Sequence, residues 1–72
     1  MRLEIKPDGW ECTLENCPPG LFMYNEELCF KTEYGAIEAY CDTGEKFWGG
    51  CSDETSLAKL KVQPLKYEWV EL

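Results

Sequence analysis

Leu21-Phe22-Met23-Tyr24 and Leu28-Cys29-Phe30-Lys31-Thr32, joined by the short polar segment Asn25-Glu26-Glu27, decide how this chain folds. Two β-prone runs around a brief polar loop predict an antiparallel hairpin. Tyr34-Gly35 breaks the second run, and Ala36-Ile37-Glu38-Ala39-Tyr40-Cys41 alternates like a further strand. Asp42-Thr43-Gly44 reads as a tight turn, with glycine where a left-handed conformation is wanted. Glu45-Lys46-Phe47-Trp48 then returns as the partner strand, and Gly49-Gly50 permits a sharp bend. Upstream, Met1, Leu3 and Ile5 alternate with Arg2, Glu4 and Lys6, which predicts a half-buried strand ended by Pro7-Asp8-Gly9. Thr13 is placed to cap one helical turn over Leu14-Glu15-Asn16-Cys17, which Pro18-Pro19-Gly20 must stop. A second turn can start behind Ser52 or Asp53. Leu60-Lys61-Val62-Gln63 alternates again, Pro64 marks an edge or a strand end, and Tyr67-Glu68-Trp69-Val70-Glu71-Leu72 closes the chain.

Short strands at intervals of about 8–12 residues without a long helix predict an all-β fold. The expected form is a small antiparallel barrel or strongly curled sheet of about five or six strands, with at most one short helical turn. The 72 residues make one domain, well below the ~150 of a typical one. Its expected core holds Leu3, Ile5, Leu21, Phe30, Ile37, Ala39, Phe47, Leu60, Val62 and one face of the last strand. A chain this short secures only a few kcal/mol from its core, so association of copies through exposed strand edges, a homo-oligomer, is expected.

Fourteen acidic against seven basic residues give a net charge of −7, which opposes direct contact with nucleic acid or anionic membranes. Histidine is absent, and with it the usual general base and metal ligand. No G-x-S-x-G, G-x-x-x-x-G-K-[ST] or H-E-x-x-H pattern occurs, so no enzyme and no cofactor is expected. The five cysteines are an odd set in a chain that starts without an apolar leader pattern, which predicts reduced thiols in a cytoplasmic protein. Cys12 and Cys17 are loosely spaced for zinc, Cys29 and Cys41 lie in apolar runs, and no metal site is expected.

The densest group of chemically versatile residues is Lys31, Thr32, Tyr34, Tyr40, Lys46, Trp48 and Gly49. Lysine and threonine can hold phosphate, the aromatic rings can stack on bases, and glycine exposes backbone amides. If the hairpins bring these residues to one rim, a small nucleotide is the ligand they suit. The plain structural reading of the same residues is core and cross-strand pairing. A second functional reading rests on the acidic middle of the chain: its carboxylates can imitate a phosphate backbone and occupy a basic channel on a protein partner. A structural component without a ligand is the third.

In order, Gly20-Leu21-Phe22, Lys31-Thr32-Glu33-Tyr34, Glu38-Ala39-Tyr40 and Gly44-Glu45-Lys46-Phe47-Trp48-Gly49 resemble the G-L-F, K-T-E-Y, D-A-Y and S-G-E-x-F-W-G series of small proteins encoded in tailed-phage genomes. The resemblance covers residues 18 to 50, with Glu38 at the usual acidic position and Thr43 where serine is common. It implies a phage accessory protein made in the cytoplasm of the bacterial host. Proteins of that sort counter host immunity, some by sequestering nucleotide signals, cyclic ones included, and others by blocking CRISPR effectors. A nucleotide signal or a host defence protein is therefore the expected partner.

Overall fold

The computed structural model describes residues 1–71. Six strands form an antiparallel sheet: β1 (Arg2–Pro7), β2 (Cys12–Thr13), β3 (Gly20–Tyr24), β4 (Glu27–Lys31), β5 (Ala39–Cys41) and β6 (Lys61–Val70). Their order is β1-β6-β3-β4-β5, with β2 also paired to β6, and the curled sheet does not close into a barrel. A 3-10 turn, Leu14–Asn16, and one short helix, α1 (Glu54–Ala58), complete it. Both single turns available in the sequence form, one more than the expected maximum.

The central hairpin forms where its sequence places it. Tyr24 faces Glu27 across a two-residue loop, Asn25-Glu26, whose φ angles are +48° and +67°. Positive φ at both positions gives the twist that tightly joined strands need; asparagine tolerates it, glutamate is strained by it. At α1, Asp53 accepts a 2.8 Å hydrogen bond from the Ser56 amide and so caps the helix.

β6 departs most from expectation. Pro64 ends nothing: the ten-residue strand runs through it, and its partners change there. Cys12 and Thr13 face Val62 and Lys61, Met23 and Phe22 face Gln63 and Pro64, and β1 faces residues 65 to 70. The Asp8 amide donates to the Pro64 carbonyl at 2.9 Å, where β1 passes on to β2. The arm predicted over Glu45–Trp48 shrinks to one bridge, Lys46 opposite Tyr40, and the Ala36–Cys41 strand shortens to Ala39–Cys41.

The core is Leu14, Cys17, Phe22, Cys29, Ala39, Phe47, Leu57 and Val62. Phe22 and Tyr24 meet Phe47 edge-on, with ring centroids 5.3 and 5.6 Å apart. Of the expected core, Ala39, Phe47 and Val62 are buried, and Ile37 and Leu60 pack against them. Leu21 is half-buried, whereas Leu3, Ile5 and Phe30 are exposed. Alternation identifies the two faces of a strand, but which face is covered depends on what packs there. Leu72 lies outside the described residues.

Candidate functional site

A pocket of about 320 Å³ opens at the end of the sheet where the β3–β4 turn, the end of β5 and the Phe47–Gly50 segment meet. Tyr24, Asn25, Glu27, Cys41, Phe47, Trp48, Gly49 and Gly50 line it. Phe47 is fully inside, and the Lys46 ammonium stands over the Trp48 ring, 4.6 Å from its centroid. Gly49 has a packing reason to be glycine: at φ +57°, an added Cβ would stand 2.2 Å from Leu60 Cδ2. That approach lets the chain turn tightly under Trp48.

The predicted site residues do not gather at this pocket. Trp48 and Gly49 line it and Lys46 covers the Trp48 ring. Lys31, expected to hold phosphate, is fully buried instead. Its Nζ donates to the carbonyls of Leu14 (2.5 Å), Cys17 (2.7 Å) and Glu15 (3.3 Å), satisfying the end of the 3-10 turn. Burial pulls its pKa below the ordinary lysine value. Thr32 and Tyr40 serve the 32–38 loop: the Glu38 carbonyl accepts from the Thr32 amide and hydroxyl, and the Glu38 carboxylate accepts from Tyr40 at 2.5 Å. That bond raises the Tyr40 pKa, first through the hydrogen bond and then through the carboxylate charge. Tyr34 is exposed on the same loop. This loop leaves the Lys31 end of β4, whereas the pocket adjoins its Glu27 end, about 13 Å away at 3.3 Å per residue. Lys31 and Tyr34 therefore do not share one rim with Lys46 and Trp48.

Glu27, Cys29 and Cys41 are the residues that could hold a soft metal ion, with donor atoms within 4.8 Å of one another. Sequence spacing hid them because strand register, Cys29 opposite Cys41, brings together positions twelve apart. Each thiol, however, is held as the neutral acid. Burial first, then the Cys41 and Glu27 charges, pushes Cys29 up to about 12. A hydrogen bond to Glu27 raises Cys41. A metal would have to displace both protons. Cys17, beside Cys12, is likewise pushed up to about 11, mainly by burial.

The electrostatic asymmetry is stronger than any of these local features. Residues 8 to 64 carry eleven carboxylates and four lysines, the whole net charge of −7. Lys31 is buried, Lys59 pairs with Glu15 at 2.8 Å, and Lys46 lies over Trp48. Among the described residues, the other ten carboxylates of this body are exposed and form no ion pair: Asp8, Glu11, Glu26, Glu27, Glu33, Glu38, Asp42, Glu45, Asp53 and Glu54. No helix among these residues is long and apolar enough to cross a membrane. Comparison with known proteins adds no relative: no family model matches the chain, and neither a curated protein nor a solved structure does.

Proposed function

We propose that this protein is a non-enzymatic acidic inhibitor whose carboxylate-studded body occupies a basic, nucleic-acid-binding surface on a partner protein. The observation that carries the reading is the set of ten exposed carboxylates without an ion pair, against only two exposed lysines of the body without one, Lys46 and Lys61. Surface charges with no opposite charge beside them are not neutralised locally, and their summed field steers association toward a surface of opposite sign. The resemblance to phage accessory proteins makes a bacterial defence protein, such as a CRISPR effector, the partner to look for.

The test is capture of a partner from bacterial lysate, followed by affinity measurements at increasing salt. Between 50 and 200 mM salt, affinity should fall by at least ~10-fold, as expected when several charges are neutralised together. Reversal of Glu26, Asp42 and Glu45 to lysine should abolish binding while the fold persists. Asp53 is left unchanged because it caps α1. Salt-independent binding, or a charge-reversed variant that binds like the wild type, refutes the reading.

The pocket favours one alternative, a small nucleotide whose base replaces Lys46 on the Trp48 ring while the freed ammonium meets a phosphate. Calorimetry with cyclic di- and trinucleotides tests it. The expected signature is heat that disappears in Trp48→Ala, and no heat at tens of micromolar removes the alternative.

A further inference from the structure

β1 and the second half of β6 form a two-stranded ribbon that contributes nothing to the core. In antiparallel pairing, directly opposite residues share a face. One face of the ribbon therefore carries Arg2, Glu4, Lys6, Lys66, Glu68 and Val70. All its charges but Lys66 are paired: Lys6 lies 2.6 Å from Glu68 and 3.3 Å from Glu4, and Arg2 lies 3.0 Å from Glu4. The other face carries Leu3 opposite Trp69 and Ile5 opposite Tyr67. These four side chains are 46, 65, 45 and 63% exposed.

Among the described residues, nothing covers this face. Val62 and Pro64 are buried in the body, and alternation along β6 sends Leu65, Tyr67 and Trp69 to the opposite side. The apolar stripe thus changes face at Pro64, and the core lies behind it. A lone two-stranded ribbon is marginal in water. One that displays two aromatic rings gains from a cover.

We propose that the ribbon is a dimerisation arm and that its cover is the same face of a second copy of this chain. Three features favour a second copy. Charge comes first: residues 1 to 7 and 65 to 71 hold three basic and three acidic side chains, so the arm is neutral while the body carries −7. Copies that repel through their bodies can meet through their arms, because the molecule extends 44 Å along its longest axis and the Debye length is about 8 Å at physiological salt. Area comes second: Met1, Leu3, Ile5, Tyr67 and Trp69 at their observed exposures offer on the order of 600 Å², most of the ~800 Å² per partner of a stable interface. Shape comes third, since β1 supplies an aliphatic row and β6 an aromatic one. A two-fold axis across the ribbon, in the plane of the contact, sets the two bodies at opposite ends and lays Leu3 of each copy on Ile5 of the other and Trp69 on Tyr67, a self-complementary contact.

Sedimentation of the full chain tests this. At ~100 μM the wild type should run at twice its 8.3 kDa mass. Leu3→Glu/Trp69→Glu should be monomeric with the buried Cys17 and Cys29 still protected from alkylation, since the arm adds nothing to the core. Lys66→Gln, on the charged face, should remain a dimer. A wild type that stays at 8.3 kDa, by itself or while binding lipid vesicles, overturns the proposal, as does a double variant that still dimerises. Should the double variant lose thiol protection, Trp69→Ala decides: its dimer dissociation constant should rise at least ~10-fold, as for an aromatic anchor, and an unchanged value overturns the proposal.

Discussion

Replacing Lys31 with methionine probes the least expected feature of the fold, an ammonium used as an internal fastener. The group offers three donors, and the structure supplies three acceptors on a single turn of chain. Lys31→Met keeps most of the apolar stem and removes the donors. Charge-assisted hydrogen bonds contribute roughly 1.5–3 kcal/mol each, so the two short ones, to Leu14 and Cys17, amount to about 3–6 kcal/mol. Relief of the buried ammonium's desolvation returns part of this, and the Leu14 carbonyl keeps a 3.2 Å bond from the Cys17 amide. The net expectation is a loss of about 2–4 kcal/mol, a large share of the stability of so small a domain. At 4–8 °C per kcal/mol, the melting temperature should fall by roughly 10–30 °C. Urea unfolding followed by tryptophan fluorescence measures the change, with the m-value confirming that the same transition is observed. Exposed Lys61→Met serves as the control and should stay within about 0.5 kcal/mol of the wild type. If Lys31→Met is equally close to the wild type, or more stable, the buried ammonium does not fasten the 3-10 turn to the sheet.

Three further expectations follow from the same geometry. Glu26→Gly relieves a glutamate at φ +67° and creates the favoured Asn-Gly pair; it should stabilise by about 1 kcal/mol, seen as a higher melting temperature. Gly49→Ala forces a Cβ against Leu60 Cδ2 and Phe47 Cζ in a left-handed conformation and should cost roughly 2–4 kcal/mol in urea unfolding. Asp53 is held below the ordinary aspartate pKa, chiefly by the hydrogen bond from the Ser56 amide, so its contribution exists above 3.8 and is lost as pH falls through the lowered folded value. The stability curves of the wild type and Asp53→Ala should therefore keep a constant separation above pH 3.8 and converge in stronger acid, and a separation that persists unchanged into strong acid counts against the cap.

The sequence by itself determined the local grammar of this protein. Period-two alternation and polar breaks marked the central hairpin, the Asp42–Gly44 turn and the short turns behind Thr13 and Asp53, because each depends on residues a few positions apart. Composition alone gave the acidic field. Tertiary structure decided which face of each strand is covered and which distant groups meet. Lys31 became internal because carbonyls fourteen to seventeen residues earlier converge on it, and Cys29 met Cys41 through strand register. Leu3, Ile5, Tyr67 and Trp69 stayed outside because β6 exchanges partners at Pro64. The physical reason is common to all three. Alternation is a property of one strand, whereas burial belongs to the whole sheet and to whatever lies against it.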